Sequence, residues 1–199
     1  RVDLDGDVSI VWLGADAPST PGTAAPLGLP AVQMAEEPAL GAQLLQPLDK
    51  GAAQRLHRLQ QACEAHGLAL WAGLHLEAPF DPAQRGHLGA LVRKALQLTQ
   101  LGVKGLAVLC DDLPGQREAT PDDPFRGSLA AAQAHAVRAL LQGTAKQGAH
   151  VQWALCPGRY TLDPLLERVH GAFEPDYLAR LHRALPPELP WLWTGPQVC

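Results

Sequence analysis

The sequence predicts an α/β fold of parallel strands, and three observations carry that reading. Five short apolar segments alternate with stretches of helical periodicity, which is the order of repeated βαβ units with right-handed crossovers. The segments are apolar almost throughout, as expected of strands covered on both faces. Four of the five end in polar or special residues: Asp16, the pair Asp111-Asp112, Tyr160 and Thr194. In α/β folds the chemistry collects at the C-terminal ends of the strands.

Taken in order, residues 8–14 (VSIVWLG) form the first expected strand. From 17 to 47 the chain is rich in Pro, Gly and Ala without clear periodicity, so a long loop is expected within one domain spanning 1–199. Asp49 stands where an N-cap belongs, ahead of a helix that runs to His66 with Leu56, Leu59 and Cys63 on one stripe. Gly67 is placed to close it. Residues 68–76 (LALWAGLHL) read as the second strand. Asp81-Pro82 signals the next helix, which continues to Leu101 and stops at Gly102.

The third strand, 106–110, runs into two adjacent carboxylates, Asp111 and Asp112, and then a Pro114-Gly115 turn signal. A loop rich in Pro and Asp follows, in which Asp122 and Asp123 read as solvated charges. Ser128 begins an Ala-rich helix that lasts to Gln147. Residues 151–156 (VQWALC) are the fourth strand, leading into Pro157-Gly158-Arg159-Tyr160. After a loop, Tyr177, Leu178, Leu181 and Leu185 recur at helical spacing up to Pro186-Pro187, and residues 191–193 form the last strand. Five units are too few to close an eight-stranded barrel, and a doubly wound open sheet fits the count equally well.

Composition narrows the function. With 199 residues, 47% hydrophobic and 18% charged, the chain has the makings of a globular core. A net charge of −4 gives no reason to expect nucleic acid or an anionic membrane as partner. No apolar run approaches a membrane span, no signal peptide opens the chain, and an initiating Met is missing, as in a trimmed segment. Neither GxGxxG nor GxxxxGK[ST] occurs, so a nucleotide cofactor has no support. Cys63, Cys110, Cys156 and Cys199 are too far apart for a zinc spacing, and the eight His do not cluster, so no metal is expected. Cys110 and Cys156 lie inside apolar runs and read as buried side chains. This cysteine usage favours a reducing, cytoplasmic setting, with secretion left open.

Three segments, in order, resemble glycoside hydrolase family 84, the protein O-GlcNAcase and bacterial β-N-acetylglucosaminidase group. Residues 105–113 (GLAVLCDDL) resemble the family's apolar strand ending in Asp-Asp-Ile/Leu. Residues 155–160 (LCPGRY) are similar to its Cys-Pro-Thr-Glu-Tyr segment. Asp176-Tyr177-Leu178, Leu185-Pro186 and then 193–198 (WTGPQV) resemble its Tyr-Leu helix leading into Trp-Thr-Gly-Pro-x-Val. Phe125, Ser128 and Gln133 sit where the family's post-catalytic helix begins. The likeness covers roughly 60–199.

The resemblance implies an incomplete (β/α)8 TIM barrel of about five units, entered at its second strand and left after its sixth. It implies a retaining hydrolase in which the substrate's own 2-acetamido group is the nucleophile, by way of an oxazoline. Asp111 would orient the acetamide nitrogen, and Asp112 would act as general acid and then base. Tyr160 would hydrogen-bond near the acetamide, while Cys156, Thr194 and Val198 would line its methyl pocket. No cofactor is implied. The expected partner is a glycan or glycoprotein bearing N-acetylglucosamine, with an oligomer or further chain segment completing the barrel.

The carboxylate pair suits that chemistry. Neighbours in a strand point to opposite faces, so both reach one site only where strand gives way to loop. One carboxylate that stays charged raises its neighbour's pKa and keeps it protonated for the leaving group.

There are departures. Gly14-Ala15-Asp16-Ala17 stands where the resemblance places Pro-Lys-Asp-Asp, Trp71-Ala72-Gly73 where it places Ser-Pro-Gly, and Gly158-Arg159 replaces Thr-Glu. The late Asn and Asp that hold sugar hydroxyls have no counterpart. Each lost hydrogen bond is worth on the order of 1 kcal/mol. The alternative is therefore a catalytically impaired pseudo-glycosidase that serves as a binding or assembly domain.

Overall fold

The computed structural model describes residues 32–35, 43–111 and 113–193. Asp16, Asp112, Thr194, Val198, Cys199 and the expected strand at 8–14 lie outside the described residues. Four strands form one sheet in the order β1 (Val32–Ala35), β2 (Ala69–His75), β3 (Gly105–Leu109) and β4 (Gln152–Cys156), every neighbouring pair parallel. Helix α1 (Lys50–Ala65) connects β1 to β2, α2 (Arg85–Gln100) connects β2 to β3, and α3 (Leu129–Lys146) connects β3 to β4. Two short helices follow, α4 (Pro164–His170) and α5 (Tyr177–Ala184).

This order decides between the two architectures left open by the sequence. A doubly wound sheet reverses its strand order at a switch point. Here each strand is added on the same side of the last, so same-handed crossovers lay the helices on one face. The chain is an arc of a (β/α)8-type barrel, α/β and incomplete.

The two faces of the arc differ as a barrel requires. Leu70, Leu74, Leu106, Val108 and Leu155 face the helices and join Leu56, Leu91, Leu98, Val137, Leu140 and Leu181 in the main core. The alternate residues Trp71, Ala107 and Ala154 form a second, smaller cluster with Leu109 and Leu192. The strand register stacks this inner face in layers: Trp71 beside Gly105, then Gly73, Ala107 and Ala154 in a row, then His75, Leu109 and Cys156. Gly105 is required beneath Trp71, since a Cβ there would come within 2.6 Å of the indole Cζ2.

Most expected elements are present, with local physical reasons. Asp49 caps α1 by accepting from the Ala52 amide at 2.8 Å, and Ser128 caps α3 by accepting from the Ala131 amide at 3.1 Å. Gly67, just past α1, takes a φ of +67°, where a side chain would be strained.

Four expectations are corrected. The loop expected over 17–47 contains strand β1, whose four residues pair with Ala69 to Ala72 of β2. On that side the neighbour of β2 in the sheet is therefore Val32–Ala35, and residues 14–17 lie outside the described residues. Helix α2 starts at Arg85, not at Asp81-Pro82, because Asp81 Oδ1 accepts from the Ala83 amide at 3.0 Å and closes a tight turn instead. Helix α4 was not expected; Asp163 caps it by accepting from the Leu165 amide at 2.8 Å, with Pro164 in its first turn. The expected last strand is a single parallel bridge between Trp191 and Leu155, held by the Leu155 amide on Pro190 O at 2.9 Å and the Leu192 amide on Leu155 O at 2.8 Å.

Candidate active site

The C-terminal rim of β3 and β4 brings Asp111 and Cys156 to adjacent strand ends. Cys156 pairs with Leu109 in the register, and its carbonyl accepts from the Cys110 amide at 3.0 Å. Cys110 turns into the helix-side core, and Asp111 follows in the turn that ends β3, two residues beyond the Leu109 that pairs with Cys156. Asp111 is half-buried, with Oδ1 closed off from solvent. Its charge reaches the next residue back: the Cys110 thiol is pushed well above its usual value, first by burial and then by Cys156 and Asp111. Asp112 follows in sequence but lies outside the described residues, as do Thr194 and Val198.

Tyr160 ends the loop after β4. It is half-buried and packs against the helix-side core. The loop itself is fixed from behind. The Gly158 amide donates to the Tyr177 hydroxyl at 2.9 Å, and that hydroxyl donates to Gln133 Oε1. Tyr177 and Gln133 are 2% and 3% exposed, so both bonds are sheltered from water. Burial, reinforced by the neighbouring Cys110, pushes the Tyr177 phenol up, and it remains a hydrogen-bond donor to Gln133 at any ordinary pH. Arg159 pairs with Glu167 of α4 at 3.1 Å and lies over the Phe173 ring at 5.9 Å.

The loop after β3 is tied on two sides. The Gly115 amide donates to His170 O, at the end of α4, at 2.6 Å. Arg117 then bridges Asp81, in the loop after β2, and Asp123, each at 3.2 Å, with its guanidinium 5.3 Å from the Phe125 ring centre. Asp123 is not the solvated charge the sequence suggested. Its side chain is 2% exposed and accepts from the amides of Gly127 at 2.7 Å and Phe125 at 3.3 Å. Burial pushes its carboxyl up, but the Gly127 amide, Arg117 and the Phe125 amide outweigh that and hold it below the usual range.

Sequence reasoning missed these braces. Tyr177 sits in a helical stripe with leucines and reads as plain core, and nothing in the order of residues joins Arg117 to Asp81, 36 positions away. Trp71 is 4% exposed and belongs to the barrel interior. A cavity of about 220 Å³ lies between the loops after β2 and β3 and the start of α3, lined by Leu76, Phe80, Leu113, Arg117, Leu129 and Gln133 among others. Asp111, Cys156 and Tyr160 are not in its wall. Among the described residues no group of three or more His, Cys, Asp or Glu is placed to hold a metal, and no helix is long and apolar enough to cross a membrane.

Solved structures with this arrangement include a mutant of the Thermobaculum terrenum O-GlcNAc hydrolase, at 22% identity and a TM-score of 0.69 over 84% of this chain. CpGH84B and CpGH84D match at 16% identity each, with TM-scores of 0.64 and 0.63 over 83% of this chain. At such identities the likeness speaks for the fold. This chain spans 35%, 28% and 26% of those three proteins, respectively. The sequence model of the NAGidase family, described as β-N-acetylglucosaminidase, matches residues 38–199, which include the Asp111-Asp112 rim, the loop from Cys156 to Tyr160 and the Tyr177 helix. By that match, the chain belongs to the β-N-acetylglucosaminidase family.

Proposed function

We propose that this chain carries the acetamide-binding side of a retaining β-N-acetylglucosaminidase site that releases terminal N-acetylglucosamine from a glycan or glycoprotein. The observation that supports it most is the family match across 38–199, a span that holds every residue proposed for the site. Asp111 orients the acetamide nitrogen so that the acetamide oxygen attacks the anomeric carbon. Asp112 protonates the departing oxygen and then takes a proton from the water that opens the oxazoline. The half-buried setting of Asp111 suits this role, since charge–dipole interactions strengthen away from water. Cys156, Thr194 and Val198 hold the acetamide methyl group, and Tyr160 bonds near the acetamide.

Hydrolysis of a fluorogenic β-N-acetylglucosaminide by the full-length protein tests the reading. Turnover is expected, falling about 10²–10⁴-fold in Asp112→Asn, as for loss of a general acid. Equal turnover by the variant would overturn the assignment of Asp112, and no turnover by the parent would overturn the enzyme reading. The second reading, a binding or assembly domain, draws on Trp71. That residue stands where the resemblance places Ser and is packed over Gly105 inside the barrel, so it offers no polar group to a sugar at the rim.

A further inference from the structure

We infer that Tyr177 is the positioning residue for the acetamide pocket, its hydroxyl fixing the loop after β4 and so the length of N-acyl chain the site admits. The inference rests on the proposed function. Gly158 lies midway between Cys156 and Tyr160, the two described residues assigned to the acetamide. Its amide is held by the Tyr177 hydroxyl at 2.9 Å, and the hydroxyl is held in turn by Gln133 Oε1 of α3. The Phe173 and Tyr177 rings pack 5.3 Å apart, and Phe173 also lies beside Gly158.

The same glycine abuts the strand end that carries Asp111. A Cβ on Gly158 would lie 3.4 Å from Cys110 O, 3.2 Å from Gln133 Nε2 and 3.4 Å from Phe173 Cε1. The loop bearing Cys156 and Tyr160 thus runs close beside the Asp111 strand, with Gln133 the nearest side chain to such a Cβ. Packing alone does not require an oxygen here. A ring 2% exposed fills the core as phenylalanine, and a buried hydroxyl costs free energy unless bonded. The Tyr177 oxygen accepts from the loop amides of Gly158 and Arg159 and donates to Gln133 of α3. The hydroxyl therefore acts through the loop. A rigid pocket distinguishes one methylene by roughly 10–200-fold, and a loosened one loses that discrimination.

The test compares fluorogenic N-acetyl- and N-butyrylglucosaminides in the full-length protein, Tyr177→Phe and Gln133→Met. The parent is expected to prefer the acetyl substrate. In Tyr177→Phe the ratio of kcat/KM, acetyl over butyryl, falls about 10-fold, while circular dichroism shows the fold retained. Gln133→Met lowers the ratio less, because the Gly158 bond survives. If Tyr177→Phe does not fold, Gln133→Met carries the decision. An unchanged ratio in the folded variants overturns the positioning role and leaves the proposed function standing. No turnover of either substrate by the parent overturns both.

Discussion

Arg117 sets one guanidinium nitrogen 3.2 Å from Asp123 Oδ1 and, through the same nitrogen, 3.2 Å from Asp81, so two rim loops share a single cation. Removing the more buried partner should therefore be costly. Asp123→Ala leaves the Gly127 and Phe125 amides without their acceptor and Arg117 with Asp81 alone. A loss of about 2–4 kcal/mol is expected, since each buried group left unsatisfied costs roughly 1–3 kcal/mol. Its exposed neighbour Asp122 is the control: Asp122→Ala should fall within about 0.5 kcal/mol of the parent. Urea unfolding of the two variants measures both, and equal midpoints would contradict the buried network.

The same network predicts a pH dependence with a definite sign. For both Asp123 and Asp81 burial raises the carboxyl, yet amide and Arg117 interactions outweigh it, leaving folded values below the ordinary 3.8. A carboxyl depressed by folding contributes stability that is fully present above its unfolded value and lost as pH falls through the folded one. Melting temperature should thus hold through the Arg117 network down to about pH 4 and decline below it. Asp123→Asn should show a shallower acid decline than the parent. A parallel decline in the two proteins would mean that Asp123 is not depressed.

Trp71 and Gly105 form a coupled pair in the barrel interior. Gly105→Ala places a methyl group against a ring that is itself 4% exposed, and overpacking of this kind costs about 1–3 kcal/mol. Trp71→Leu opens a void and is destabilising on its own. In the double variant the new methyl group enters that void, so the pair should cost at least about 1 kcal/mol less than the sum of the singles. Additive unfolding energies would show that the indole is not what excludes a side chain at Gly105.

What the sequence could and could not reveal follows from where each signal resides. Strands β2, β3 and β4 were legible because, His75 and Gln152 at their ends apart, every residue is apolar or small. Helices α1 and α3 were legible because Asp49 and Ser128 act within three residues of their own position. Strand β1 was hidden: VQMA is four residues with a polar Gln, and its pairing comes from β2, 37 positions on. Asp81-Pro82 misled for the converse reason, since its local pattern suits a cap while its carboxylate is engaged by Arg117 from another loop. Helix α4 leaves Leu165 and Val169 exposed, so it offers no apolar stripe directed at a core. In the site, Asp111 and Cys156 were visible as strand ends. The braces that hold them were not, because Tyr177, Gln133 and Arg117 act across the fold rather than along the chain.

Cys110 offers a way to watch the Asp111 strand end directly. Its thiol is fully buried, immediately precedes Asp111, and is pushed well above its ordinary value by burial first and then by Cys156 and Asp111. Alkylation requires both access and thiolate, so Cys110 is protected twice over. Cys63 is raised by burial alone and is 4% exposed. With iodoacetamide at pH 8, peptide mass spectrometry should therefore find Cys110 slower to modify than Cys63 in the folded chain, and both modified promptly in urea. The order matters more than the absolute rates, because it separates the rim from the remainder of the core. Tyr177→Phe should hasten labelling of Cys110 relative to Cys63, since the Gly158 contact covering the Cys110 carbonyl is loosened while α1 is untouched. Labelling of Cys110 ahead of Cys63 in the parent would mean that the end of β3 opens readily, and that Asp111 is not held in the closed setting its proposed role requires.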